Sequence, residues 1–171
     1  GQNDPGLYTR AHQLLDPMRS THRRAVVVLD HAWEGSPGAA NITEHIERNL
    51  QARWDEYAVI VIDPELENWI WVTTSQRQGE LSVHSRVVES LRYPGDQPLR
   101  DWLRDKGLWP DGAEKPTDPK RAVEDTLRLT KTRRSGAIYG RIVERVSPRG
   151  CNDESFLKLR DTLRNWFGEK Q

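Results

Sequence analysis

Carboxylates follow two short apolar segments of the chain, at residues 25–29 and 57–62. Five acidic side chains stand at or just after the ends of these segments: Asp30, Glu34, Asp63, Glu65 and Glu67. Segments that are apolar at every position are typical of parallel strands that are covered on both faces. Ligands of such sheets bind beyond the carboxyl ends of the strands, so the spacing predicts a site at that edge.

The chemistry expected of this acidic group is the binding of a hard cation. Mg²⁺ takes oxygen ligands, and at a phosphoester it neutralises developing charge and orients an attacking water. We therefore predict a site for Mg²⁺, or for Mn²⁺ in its place, with four carboxylate metal ligands: Asp30, Glu34, Asp63 and Glu67. Glu34 and Glu65 are the predicted catalytic acids, and Glu65 would bind the metal or orient the water. The alternative is that these acids cap turns or favour the positive start of a following helix.

The segment between the two apolar runs predicts that the strands are parallel. Asn41, with Glu44 three residues later, has the pattern of an N-cap and capping box, and apolar residues at helical spacing predict a helix over 42–53. Strand, helix and strand in this order form a βαβ crossover. The predicted fold class is α/β, with a Rossmann-like parallel sheet core over residues 1–75. Because two buried parallel strands rarely form a stable sheet, we expect further N-terminal strands, from upstream of this chain or from a partner.

The remaining elements are predicted to be helices. A first helix is expected from Leu7 to about Ser20, after a turn at residues 1–6, with Pro17 distorting its last turn. Residues 76–171 are predicted to form a helical extension packed on the core. Short helices separated by Pro and Gly turns are expected from residue 66 onward: 66–72, 86–91, 98–106, 119–129, 136–146 and 154–166.

A basic turn is the second candidate for chemistry. Lys131, Arg133 and Arg134 immediately precede the predicted helix at 136–146, where backbone N–H groups and basic side chains together hold phosphates in many proteins. We predict nucleic-acid binding by these three residues. The alternative is that the cations cap the end of the preceding helix.

Composition restricts the class of protein. The 26 basic and 26 acidic residues cancel, so binding of nucleic acid requires a local patch. Cys151 is the single cysteine, which excludes an internal disulfide and a cysteine zinc cage and suits a reducing compartment. Since the apolar segments are much shorter than a membrane span and no signal peptide is recognisable, we expect a cytoplasmic protein without membrane contact.

Four segments of the sequence resemble one family. They are the first strand with its acids, the Asp-Pro-Glu segment, the basic helix with the following Ser-Gly start, and the C-terminal helix, at 26–35, 62–71, 119–139 and 151–167. In this order they resemble the small bacterial proteins that are components of methylation-associated defence systems. These proteins are in turn similar to TOPRIM-type domains, the Rossmann-like module of topoisomerases, primases and overcoming-lysogenization-defect nucleases.

The resemblance implies a magnesium-binding fold and a role in restricting phage DNA together with other defence proteins. TOPRIM-type domains bind magnesium through a glutamate on their opening strand and an Asp-x-Asp pair. In this chain Asp30-His-Ala departs from the Asp-x-Asp pattern, and the opening strand would lie upstream. Two hypotheses follow: a TOPRIM-like, metal-dependent phosphoester enzyme, and a non-catalytic subunit whose helical half binds other defence proteins or DNA.

Overall fold

The chain folds as a mixed α/β protein. A computed structural model describes residues 4–71, 88, 90–113, 115–145 and 151–168. Within these ranges there are two strands, β1 (Arg24–Asp30) and β2 (Glu56–Ile62). The helices in the same ranges are α1 (Asp4–Leu15), α2 (Ala39–Gln51), α3 (Asn68–Trp71), α4 (Leu99–Asp105), α5 (Pro119–Leu129), α6 (Gly136–Arg145) and α7 (Glu154–Phe167).

Contacts divide the chain into two compact units. The first contains residues 1–65 and 154–171, and the second contains residues 66–153. Each unit has its own apolar core. The boundary predicted from the sequence stands at residue 75, whereas the chain leaves the first unit after residue 65 and α7 belongs to that unit.

The two strands of the first unit pair in parallel. Arg24 lies opposite Glu56, and the register continues without interruption to Asp30 opposite Ile62. Helix α2 connects the strands, so the predicted parallel βαβ arrangement is confirmed. The strands form a two-stranded sheet in the part of the chain that the structure describes.

The two faces of β1 differ in burial. Ala25, Val27 and Leu29 are buried in a core with apolar side chains of α1 and α2. On the other face of the strand Val28 is 38% exposed. The expectation that β1 is covered on both faces is therefore wrong. Helix α7 contacts β2, whose Ala58, Ile60 and Ile62 are all buried.

The start of α1 differs from the prediction. Asp4, Pro5 and Gly6, predicted as a turn, form the first turn of the helix. Proline is well suited to this position, because an N–H in the first turn has no partner within the helix. The predicted distortion near the end of the segment is confirmed, since Pro17 lies in a 3₁₀ turn at Asp16–Met18.

The start of α2 also differs from the prediction. The N-cap residue is Gly38, with a φ of 93°, a conformation that residues with a side chain rarely adopt. The helix therefore begins at Ala39, and the Asn41 side chain donates a hydrogen bond of 2.8 Å to the carbonyl of Pro37. The capping box predicted at Asn41 is wrong.

The helices of the second unit lie close to where the sequence places them. The Asp118 carboxylate accepts a hydrogen bond of 2.9 Å from the backbone N–H of Arg121, which confirms the predicted cap of α5. Helices α3, α4 and α6 fall within their predicted ranges, while the predicted helix at 86–91 lies largely outside the described residues. No helix in the described ranges is long and apolar enough to cross a membrane.

Candidate functional site

The predicted acidic edge exists in the backbone of the first unit. Because Asp30 lies opposite Ile62, Asp63 follows at the same end of the sheet. The backbone N–H of His31 donates to the carbonyls of Ile62, at 2.9 Å, and of Pro64, at 3.2 Å. These bonds hold the two segments together just beyond the carboxyl ends of the strands.

The side chains at this edge are bound to local partners. Nδ1 of His31 lies 3.2 Å from Oδ1 of Asp63, whose side chain is 71% exposed, so water screens this pair. The backbone N–H of Asp30 donates a hydrogen bond of 3.3 Å to Oδ1 of Asp4. Asp4 is not among the predicted site residues, because the sequence predicts a turn there. The Asp-Pro pair, which is typical of a helix start, is the signal that identifies its position.

The three glutamates of the predicted site lie in different surroundings. Glu34 is exposed in the loop between β1 and α2. Glu65 is buried, at 7% exposure, and it is the last residue of the first unit before the chain enters the second. Glu67 is 2% exposed and belongs to the second unit.

These positions bear on the predicted cation. Among the described residues, no group of three or more His, Cys, Asp or Glu side chains is placed to hold a metal ion. Asp63 is bound to His31 at the strand ends, and Glu67 is bound inside the second unit. The predicted acids as placed in the described residues do not form a three-ligand magnesium site. The roles of these acids in metal binding or catalysis stay predictions.

Glu67 is the centre of a hydrogen-bonded network in the second unit. Its Oε1 accepts a bond of 2.6 Å from Nη2 of Arg134 and one of 2.7 Å from the hydroxyl of Tyr139. Arg134 also donates from Nε to the Tyr139 oxygen, at 2.9 Å, and from Nη1 to Oε1 of Glu124, at 3.0 Å. A predicted metal ligand and a predicted nucleic-acid contact therefore bind each other.

The network joins three elements of the second unit. Glu67 immediately precedes α3, Arg134 lies in the turn between α5 and α6, and Tyr139 lies on α6. A second carboxylate holds α3 itself: Asp153 accepts hydrogen bonds of 2.6 Å from Nδ2 of Asn68 and 3.1 Å from Nε1 of Trp69. Both sets of bonds fix the position of α3 within this unit.

Burial raises the pKa of Tyr139 above its ordinary value of 10.0, and the hydrogen bond that its hydroxyl donates to the negatively charged Glu67 carboxylate raises it further. The unfolded chain loses this proton near pH 10 while the folded chain keeps it, so the resulting stability is present below about pH 10 and is lost as pH rises beyond it. We expect the difference in free energy of unfolding between the parent and Tyr139→Phe to shrink above that pH. Urea unfolding of both proteins at a series of pH values measures it, and a constant difference would contradict the assignment.

All three cations of the basic turn reach solvent, but they differ in their bonding. Lys131 and Arg133 are exposed, while Arg134 is directed to Glu67 and Glu124. The backbone N–H groups of Lys131 and Thr132 donate to the carbonyls of Arg128, at 3.1 Å, and Leu127, at 2.9 Å. These backbone bonds close the end of α5, so the capping alternative does not require the basic side chains.

Known proteins give no family for this chain. No protein-family model, curated protein or solved structure matches it.

Proposed function

We propose that this protein is a non-catalytic, DNA-binding component of a bacterial anti-phage defence system of the methylation-associated kind. The resemblance of four sequence segments to such components supports the biological role. Helix α5 and the turn after it are rich in basic residues and form the basic surface (residues 119–135). Its charge supports DNA as the ligand. The commitment of the Glu67 carboxylate to Arg134 and Tyr139 supports a role without catalysis.

The charge of the basic surface carries the proposal. This segment has six basic and two acidic residues in a chain whose total formal charge is zero. The side chains of Arg121 and Arg128 are 65% and 76% exposed, and both are paired with Asp125 at 3.6 Å and 2.6 Å. One carboxylate shared by two guanidinium groups leaves positive charge on the surface. Such a local patch attracts phosphates even though the net charge of the chain is zero.

The Glu67 network gives this surface a fixed geometry. Arg134 anchors the turn on the buried carboxylate, and Lys131 and Arg133, which precede it, remain exposed. The turn leads directly into α6, whose first N–H groups add a partial positive charge. Contacts of this kind position a protein on the DNA backbone without reading its sequence. We expect weak sequence preference and a strong dependence on salt.

Replacing Lys131 and Arg133 together by glutamine is expected to lower affinity for duplex DNA about tenfold near 0.1 M salt, because two phosphate contacts are lost. The slope of log affinity against log salt should fall by about 2 for the same reason. Fluorescence anisotropy with a labelled duplex measures both quantities. The matched control replaces Arg92 and Lys106, two exposed cations of the same unit that lie outside the basic surface.

Three results would contradict the proposal. The parent protein would fail to bind duplex DNA, or the control pair would weaken binding as much as the Lys131 and Arg133 pair. Metal-dependent cleavage of DNA by the isolated parent protein would contradict the absence of catalysis.

In cells that carry the complete system, the variant with Lys131 and Arg133 replaced should also give less protection from phage, while the control variant should not.

A further inference from the structure

The outer edge of β1, on the side away from β2, has no neighbouring strand among the described residues. Along a strand, successive residues direct their backbone N–H and C=O groups to opposite edges. The N–H of His31, directly after β1, donates to the carbonyl of Ile62, so the odd-numbered residues of β1 face β2. The even-numbered residues face the outer edge, and Val26 and Val28 lie at its centre.

The centre of this edge lacks the usual protection against a further strand. Proteins protect edges with charged residues, proline or a bulge. The middle of β1 is a run of valines, and its register with β2 is uninterrupted. Asp4 binds the N–H of Asp30 at the end of the edge. No hydrogen bond from the described residues reaches the outward backbone groups of Val26 and Val28, so the centre of the edge is open to pairing.

The face of β1 that carries Val28 is also incompletely covered. Residues opposite each other in a parallel pair share a face, so Val28 lies on the face of Ile60. Ile60 of β2, the strand that α7 contacts, is fully buried, while Val28 is 38% exposed. The guanidinium of Arg24 lies 5.1 Å from the ring centroid of Phe167, at the end of α7, and this phenylalanine is 68% exposed. Apolar surface on this face therefore adjoins the open edge.

The charges of β1 make the strand complementary to a reversed copy of itself. Arg24 stands at its start and Asp30 at its end. In an antiparallel pair of two β1 strands centred on Val27, Arg24 lies opposite the partner's Asp30. Val26 lies opposite the partner's Val28 in the same register. Both members of each pair direct their backbone groups to the outer edge, as hydrogen-bonded antiparallel pairs require, and opposite charges directly across two strands stabilise the pairing.

The other strand does not have this property. In a reversed pair of β2 strands centred on Val59, Glu56 would lie opposite the partner's Ile62, and its charge would have no counterpart. Arg24 is already paired with Glu56 of its own chain, but a guanidinium has several N–H donors and can bind a second carboxylate. The self-complementary charges therefore favour a second copy of this chain as the occupant of the edge of β1.

We propose that two copies of this chain pair through the outer edges of β1. The strands run antiparallel about a two-fold axis at Val27, so one sheet continues across both copies and each copy contributes the same surface. Val26 and Val28 donate and accept the central hydrogen bonds, and Asp4 keeps its bond to the N–H of Asp30. The pairing lies in the first unit and does not depend on the proposed binding of DNA.

Reversal of single charges tests the register. Arg24→Glu and Asp30→Lys each place like charges opposite each other at both ends of the paired strands, and each is expected to raise the dissociation constant of the dimer about tenfold. An equimolar mixture of the two variants should form dimers about tenfold more tightly than either variant alone, because each introduced charge then lies opposite one of the other sign. Residues 24 and 30 are about 20 Å apart along one strand, so this recovery requires contact between copies. Sedimentation equilibrium in a metal-chelating buffer, over a series of concentrations, measures each constant.

A third variant and its control test the apolar face. Val28→Lys places a charge beside the edge and should also weaken the dimer. The matched control is Leu14→Lys, which changes an apolar side chain of α1 that is 57% exposed, and it should leave the dissociation constant unchanged. If circular dichroism shows that Val28→Lys does not fold, the mixture of charge variants decides.

Two kinds of result would overturn the proposal. A parent protein that sediments as a single chain would leave the edge to a strand of another protein or of another segment. Equal weakening by Leu14→Lys, or a mixture no tighter than its components, would assign the dimer to another surface.

Discussion

Trp71→Ala is expected to lower the free energy of unfolding of the second unit by about 3–5 kcal/mol. Trp71 is 3% exposed and packs edge-on against Trp109, with 5.6 Å between the ring centroids. Its Nε1 donates a hydrogen bond of 3.0 Å to the carbonyl of Pro119, the first residue of α5. The substitution removes the aromatic contact and the hydrogen bond, and it leaves a cavity in the core.

Two further variants separate these contributions. Trp71→Phe keeps most of the packing volume and removes the hydrogen bond, so it should cost about 1–2 kcal/mol. Trp102→Ala removes a partly buried tryptophan from the edge of the same core and should also cost less than Trp71→Ala. Urea unfolding, followed by tryptophan fluorescence and circular dichroism, measures each value. Equal losses for Trp71→Ala and Trp102→Ala would contradict the placement of Trp71 at the centre of this core.

The elements that the sequence predicts well are those set by local patterns. The apolar run that ends at Asp30 is a strand, and Ile42, Ile46 and Leu50 of α2 recur at helical spacing and are all buried. Asp118 marks the start of α5, because its side chain caps the helix and a proline follows it. For the two helices the bonds concerned join residues that are close in the sequence, and for the strand the continuous apolar run is itself the local pattern.

The start of α2 shows where local patterns compete. Asn41 and Glu44 match a capping box, but Gly38 adopts a positive φ and the helix begins directly after it. Once the chain has entered the helix at Ala39, Asn41 lies inside the first turn, and its side chain bonds back to the carbonyl of Pro37. Both starts satisfy the sequence rules, and tertiary packing decides between them.

The partners of Glu67 could not be predicted, for a different reason. Glu67 and Arg134 are 67 positions apart, and Glu67 and Tyr139 are 72 apart. The spacing near Glu67 predicts an acid at the end of a strand, whereas the contacts of Glu67 depend on which elements of the second unit pack together. The parallel ends of β1 and β2 are predictable because a helical pattern separates the two apolar runs, which is typical of a βαβ crossover. No comparable pattern links α3 with α6.

Glu67→Gln is the substitution that best distinguishes the two roles considered for this residue. As the buried partner of Arg134 and Tyr139, Glu67 stabilises the second unit, and the loss of its charge should lower the free energy of unfolding by about 2–3 kcal/mol. This loss in free energy of unfolding is smaller than the loss expected on breaking a fully buried ion pair, because the Arg134 side chain is 44% exposed. An acid held among other carboxylates for a cation has the opposite effect. In the absence of metal, its removal relieves repulsion and raises stability.

A double-mutant cycle assigns the loss to the pair. Glu67→Gln with Arg134→Gln should cost clearly less than the sum of the single variants, because the second substitution removes the cation that the first leaves without its buried partner. Glu124→Gln is the matched control, since Glu124 also binds Arg134 but its side chain is 38% exposed, and it should cost about 0.5 kcal/mol or less. Urea unfolding in a metal-chelating buffer measures all four variants. A gain in stability for Glu67→Gln would reject the structural role and return this residue to the predicted cation site.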